Sequence, residues 1–95
     1  MFRRRRRKIL WDEHAEREVL RYVDRYPGLY DAIRSLEWLL EHDPANSQAD
    51  RIRDKYWLIK SNRASGIGDA GLPEILLIYH FDEKSVTFWD MRIEP

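Results

Sequence analysis

We expect the 95 residues to form one domain with a small hydrophobic core, because the chain leaves no room for a second. Charged side chains make up an unusually high 36% of the sequence, and the apolar share of 43% is ordinary. The lack of cysteine excludes disulfides and thiolate metal sites, and it is typical of a protein of the reducing cytoplasm. Since no apolar run approaches the ~20 residues of a membrane span, we expect no membrane association.

Positive charge is concentrated near the N-terminus, in the consecutive residues Arg3, Arg4, Arg5, Arg6, Arg7 and Lys8. The rest of the chain has 11 basic and 17 acidic side chains, a net charge of −6. This basic run, residues 3–8, could bind nucleic acid or an acidic partner, because neutralising phosphates gives strong affinity without sequence preference. The alternative is a solvated terminus that leads into an edge strand, which its charges protect from unwanted pairing.

The first predicted elements are a short strand and an amphipathic helix. Residues 8–11 are typical of a strand in which Ile9 and Trp11 share one face. Asp12 is a plausible N-cap, and apolar residues at helical spacing predict a helix over residues 13–26. Pro27-Gly28 should end this helix.

A second helix is predicted from Leu29 to the Asp43-Pro44 pair, where the residue before proline disfavours helix. Two amphipathic helices joined this closely indicate a helical hairpin. The apolar stripe of the second helix consists of Leu29, Ala32, Ile33, Leu36, Leu39 and Leu40.

Residues 45–54 are polar and predict a connection, with a short helical turn over residues 47–50. Residues 56–59 predict a strand. Residues 62–72 contain three glycines, which favours a loop. We reject a phosphate-binding loop there, because the Lys-Ser/Thr pair of that motif is absent.

Two strands separated by the turn at residues 82–85 predict a β-hairpin at the C-terminal end. Residues 75–79 are apolar at every position, so we expect a central strand that is buried on both faces. Residues 86–93 alternate, which places Val86 and Phe88 on one face and Trp89, Met91 and Ile93 on the other. The expected fold is α+β: an N-terminal strand, an amphipathic helical hairpin and a three-stranded antiparallel β-meander.

This order of elements resembles that of the RelE/ParE superfamily, and short stretches of sequence add to the resemblance. Residues 55–60, 76–84 and 86–89 are similar to the three C-terminal strands of the family, including the tyrosine of the middle strand and the Asp-Glu turn. The hairpin over residues 15–44 resembles the paired helices, including the closing Asp-Pro. The resemblance covers almost the whole chain and implies a RelE/ParE-like fold.

The resemblance implies a function in bacterial toxin–antitoxin modules, the class associated with plasmid stabilisation. The chain would be the toxin component, neutralised by an antitoxin protein and directed at mRNA on the ribosome or at DNA gyrase. It implies no cofactor and no small-molecule ligand. The alternative is a non-catalytic module on the same scaffold that binds nucleic acid or protein and is tethered by the basic run.

RelE-type ribonucleases carry several cations on the middle strands, which stabilise charge as RNA is cleaved. The matching positions here are mostly apolar, and the terminal segment that bears the family's aromatic catalytic residue is missing. If the chain is a metal-independent endoribonuclease, the candidate residues are Arg92 for charge stabilisation and Tyr79 or His80 for proton transfer. Lys60 and Arg63 join the basic run as candidate nucleic-acid-binding residues. The three scattered histidines predict no metal site.

Overall fold

A computed structural model describes residues 6–61 and 73–94 and shows an α+β architecture of two helices and a five-stranded mixed sheet. The strands lie in the order β1-β5-β4-β3-β2; β1 runs parallel to β5, and the other neighbours are antiparallel. The predicted class and the central position of β4 are confirmed. In chain order the elements are β1 (Lys8–Trp11), α1 (Glu13–Tyr22), α2 (Leu29–His42), β2 (Ala49–Arg53), β3 (Tyr56–Lys60), β4 (Glu74–Phe81) and β5 (Ser85–Glu94).

Both helices begin where the sequence predicts, but α1 is four residues shorter than expected. A carboxylate oxygen of Asp12 accepts a hydrogen bond from the backbone N–H of His14, as an N-cap should. α1 ends at Tyr22 because the chain then turns toward Pro27. Gly28 is the N-cap of α2 and has a left-handed φ of 89°, which glycine adopts without strain. No helix in the described ranges is long and apolar enough to span a membrane.

The predicted connection at residues 45–54 contains a strand, so the prediction of a helical turn there was wrong. β2 pairs antiparallel with β3 and turns back at Asp54, whose φ is 50°. Only Ala49 of this strand is buried, and the other four residues are exposed. The antiparallel part of the sheet therefore has four strands rather than three. The predicted loop at residues 62–72 lies outside the described residues.

A bulge in β5 changes which of its side chains reach the core. Phe88 pairs with Tyr79 and Asp90 pairs with Ile78, so Trp89 has no partner across the strand. The extra residue shifts the alternation by one, and Met91 is buried together with Phe88 whereas Trp89 is exposed. The prediction that Met91 and Trp89 share a face was therefore wrong.

The core lies between the helices and one face of the sheet. β4 contributes alternate buried residues to it, whereas the residues between them are half-buried on the opposite face. The prediction that this strand is buried on both faces was therefore wrong. The largest fully buried side chains are Tyr79, Phe88, Leu29, Leu36, Leu40, Ile59, Ile75, Leu77, Met91 and Val86.

Candidate functional site

The sheet face opposite the helices, here called the open face, carries the chemically useful side chains. The centre of this face is aliphatic, because Leu76 and Ile78 of β4 lie beside Leu58 of β3. Solvated faces of antiparallel sheets normally carry polar side chains at such positions. Trp89 at the bulge and Leu10 on β1 add exposed apolar surface.

Tyr79, a predicted proton-transfer residue, lies in the core rather than on the open face. Its side chain is fully buried, and its hydroxyl donates a hydrogen bond to the backbone carbonyl oxygen of Pro44. Burial, and then the negative charge of Asp43, raise the pKa of the Tyr79 hydroxyl above its ordinary value. The hydroxyl therefore has no route to a bound substrate, and its hydrogen bond to Pro44 gives it a structural role.

His80 lies on the open face within an aromatic cluster. The ring of Tyr56 meets the ring of His80 edge-on at 5.7 Å between centroids, and it lies 4.9 Å from the ring of Trp89. Partial burial, and then the positive charge of Lys55, lower the pKa of His80; Asp82 and Asp12 oppose this to a smaller extent. An imidazole that packs against an aromatic ring can bind apolar or aromatic groups as well as exchange a proton.

Arg92 shares a carboxylate with His14 and is not brought together with His80, the histidine that the sequence suggested. Its Nε donates to Oδ2 of Asp90 at 3.3 Å, and Nε2 of His14 lies 3.0 Å from Oδ1 of the same carboxylate. The backbone N–H of Met91 also donates to Oδ1, at 2.9 Å. Asp90 is only 5% exposed, so a nearly buried carboxylate holds both side chains in place. We call this group the His14–Asp90–Arg92 cluster.

The structure separates Arg92 from His80. Arg92 pairs with Leu76, whereas His80 pairs with Thr87. Leu76 and His80 are four residues apart on β4, which is about 13 Å along a strand. With Tyr79 in the core, the three predicted catalytic side chains therefore do not converge on one reacting group.

Lys60 and Arg92 lie in one row across the sheet, on either side of Leu76. The next row of the same face contains the pair Glu74 and Glu94, which face each other across β4 and β5. These two carboxylates offset the two cations, so this end of the open face has no strong positive potential. Arg63, the third predicted cation, lies outside the described residues.

The described end of the basic run is bound to the domain. Nε of Arg6 pairs with a carboxylate oxygen of Glu41 at 3.1 Å, and the backbone N–H of Arg7 donates to the carbonyl of the same residue. Nε of Arg7 donates to the carbonyl oxygen of Asp82 at 2.8 Å, and its guanidinium lies over the ring of Phe81. Lys8 begins the edge strand β1, and Arg3, Arg4 and Arg5 lie outside the described residues.

A groove of about 370 Å³ lies on the other side of the domain, between α1, α2 and Trp11 at the end of β1. The side chain of Trp11 lies beside Glu37 at one wall and favours the charged form of its carboxylate. Burial raises the pKa of Glu37 above its ordinary value, with Glu41 adding to the rise; Trp11 and Arg34 oppose it. The groove is lined by Trp11, Glu16, Val19, Leu20, Tyr30, Ile33, Arg34 and Glu37.

Within residues 6–61 and 73–94, no three His, Asp or Glu side chains come together in a way that could hold a metal ion. No family model, curated protein or solved structure matches this chain. Function must therefore be inferred from the residues themselves. The structure offers three surfaces for this: the open face, the His14–Asp90–Arg92 cluster at its edge, and the helical groove.

Proposed function

We propose that the protein is the toxin-like component of a toxin–antitoxin pair and that it acts by binding its target rather than by cleaving RNA. The scaffold part of this proposal rests on the resemblance described above. The described chain runs through a strand, two helices and an antiparallel meander, the order on which that resemblance is based. The meander has one strand more than we expected.

The separation of the three candidate catalytic residues is the observation that favours target binding over RNA cleavage. Metal-free RNA cleavage needs a proton-transfer group and a cation at the same phosphate, because the developing charge must be stabilised as the proton moves. Here the Tyr79 hydroxyl is bound to Pro44 in the core. His80 and Arg92 lie about 13 Å apart along the sheet. A ribonuclease site built from these three residues would require the sheet to rearrange.

The open face is the surface that we assign to the target. Its exposed Trp89 stands beside Tyr56, and aromatic side chains of this kind supply much of the binding energy at protein interfaces. The antitoxin would occupy the helical groove, where Leu20 and Tyr30 are both more than half exposed. An amphipathic segment with apolar anchors fits such a groove.

The first experiment expresses the chain alone in bacteria from an inducible promoter. We expect growth arrest, with transcripts that stay intact when their 5′ ends are mapped during the arrest. Normal growth at a verified level of folded protein would exclude the toxin-like function. Cleavage of transcripts that disappears in His80→Ala or Arg92→Ala would instead establish a ribonuclease.

A pair of tryptophan variants tests the assignment of the open face. Trp89→Ser should weaken the arrest, because it removes an exposed aromatic anchor from the target-binding surface. Trp38→Ser is the matched control, since Trp38 is 63% exposed on α2, on the helical side of the domain. Equal arrest by both variants, at equal protein levels, would move the target to another surface.

The alternative function is a non-catalytic module tethered to nucleic acid or to an acidic protein by the basic run. The split between six consecutive cations and a body of net charge −6 favours it. The bound positions of Arg6 and Arg7 make deletion of residues 3–5 the clean test, because β1 then stays intact. This deletion should abolish most of the affinity and its salt dependence. Unchanged binding by the shortened chain would eliminate the tether.

A further inference from the structure

The His14–Asp90–Arg92 cluster brings together residues from the beginning and the end of the chain around one carboxylate. Asp90 accepts hydrogen bonds from Arg92 and from the backbone of Met91, and it pairs with His14. A buried charge is stable only when it is paired and hydrogen-bonded, and Asp90 meets this condition through the two side chains. One nitrogen of each side chain is therefore anchored by the fold.

Both side chains present their remaining polar atoms to solvent. His14 is 63% exposed and uses Nε2 for Asp90, which leaves Nδ1 without a partner in the part of the chain that the structure describes. Arg92 is 73% exposed and uses Nε, which leaves both terminal amino groups of the guanidinium unpaired within the same ranges. Because one edge of each side chain is anchored, these free groups are preorganised for an oxyanion.

Within the cluster itself, Arg92 and a protonated His14 carry one positive charge more than the carboxylate of Asp90 neutralises. On α1, Asp12 caps the helix through the backbone N–H of His14, and Glu13 pairs with Arg17 one turn later. Lys60 lies in the same row of the sheet as Arg92. The acidic pair formed by Glu74 and Glu94 occupies the next row beyond Arg92 and offsets Lys60, so binding depends on the two anchored donors and not on the surrounding charge.

We propose that His14 and Arg92, held by Asp90, form a binding site for a phosphate group. The imidazolium of His14 donates from Nδ1 to one phosphate oxygen, and the guanidinium of Arg92 donates to two others. The phosphate group belongs to a nucleotide or to a nucleic-acid strand, which offer the same chemistry to the site. This phosphate site is independent of the proposed toxin-like function, because phosphate binding requires neither toxicity nor RNA cleavage.

The test uses the full chain and measures binding of inorganic sulfate and inorganic phosphate by NMR at constant ionic strength. We expect saturable shifts at His14 and Arg92. Sulfate stays a dianion at neutral pH, so its own charge does not change between the variants that are compared. No saturable shift at these residues up to about 100 mM ligand would refute the site.

Three variants separate a built site from general surface charge. His14→Gln and Arg92→Gln should each weaken sulfate binding about tenfold. Arg17→Gln is the matched control, because it removes an equal charge from an exposed position on α1. An equal loss in Arg17→Gln and Arg92→Gln would reduce the site to non-specific attraction.

Asp90→Asn tests whether the carboxylate positions the two donors. If it does, the variant binds more weakly although a negative charge has been removed; if Asp90 merely repels anions, the variant binds more tightly and the proposal fails. A melting curve verifies that Asp90→Asn is folded. If it is not, the variants of the exposed residues His14, Arg92 and Arg17 still decide the test. A mononucleotide with a 5′-phosphate and an oligonucleotide without terminal phosphates then identify which source of phosphate binds more tightly.

Discussion

The hydroxyl of Tyr79 donates a hydrogen bond to the carbonyl oxygen of Pro44, a residue 35 positions earlier in the chain. Both residues are buried, and the bond connects the central strand to the segment that follows α2. A buried carbonyl without a partner costs about 1–3 kcal/mol. This bond is therefore part of what holds the connection after α2 against the sheet.

We expect Tyr79→Phe to lower the free energy of unfolding by about 1–3 kcal/mol, because it leaves the Pro44 carbonyl unsatisfied without creating a large cavity. Urea denaturation measures the loss. Tyr30→Phe removes a hydroxyl from a side chain that is 51% exposed and should change stability by less than about 0.5 kcal/mol. Equal stability of the two variants would show that the Tyr79 bond is unimportant.

The raised pKa of Tyr79 predicts a loss of stability in alkali. The folded state binds this proton more tightly than the unfolded state, so the contribution is complete below the ordinary tyrosine pKa of about 10 and declines as pH rises above it. Tyr79→Phe should reduce that alkaline decline. Urea curves at several alkaline pH values measure it, and an identical slope in both proteins would contradict the assignment.

The lowered pKa of His80 has the opposite consequence. The folded state binds this proton less tightly than the unfolded state. The contribution of His80 to stability is therefore fully present above the ordinary histidine pKa of about 6.5, and it is lost as pH drops toward the lower folded value. Lys55→Gln should raise the pKa of His80, because it removes a positive charge close to the ring. An NMR titration of His80 in both proteins measures the shift, and a lower value in Lys55→Gln would refute this cause.

The spacing of apolar residues and the capping residues were sufficient to predict β1 and the start of α2. β1 begins and ends where expected, and α2 begins at Leu29 because apolar spacing, glycine and proline all indicate the same limits. β2 escaped prediction because it is an exposed edge strand rich in charge, and a strand with only Ala49 buried has no apolar alternation to detect. Its partner β3 supplies the pairing that its own sequence does not indicate.

The candidate site was harder to predict than the fold. Arg92 was identified from the sequence, but its partner was not, because His14 and Asp90 meet only after β1 has paired with β5 and brought the start of α1 beside the last strand. The bulge at Trp89 is equally invisible, since one unpaired residue changes the face of every position after it. Such contacts depend on the pairing register between neighbouring strands, which cannot be predicted from a short stretch of sequence.

The raised pKa of Glu37 predicts that its charge weakens the fold at neutral pH. The folded state favours the protonated carboxyl, so this contribution to stability is present below the ordinary glutamate pKa of about 4.3 and is lost as pH rises through the higher folded value. Glu37→Gln should be more stable than the parent at pH 7, with a smaller difference at pH 4. Glu16→Gln, in the same groove, controls for the loss of a charge.

Asp54 closes the turn between β2 and β3 with a φ of 50°, in the left-handed region that costs most residues about 1–2 kcal/mol. Its carbonyl accepts a hydrogen bond from Nε of Arg51 at 2.8 Å, a contact that any residue at this position retains. Asp54→Gly should therefore raise the free energy of unfolding by up to about 1 kcal/mol, because glycine adopts this conformation without steric cost. Asp54→Val should lower it by about 1 kcal/mol or more, since a β-branched side chain fits the region poorly. Urea denaturation of the two variants measures both effects. If the glycine variant is less stable than the parent, the aspartate side chain must stabilise the turn by more than its left-handed backbone conformation costs.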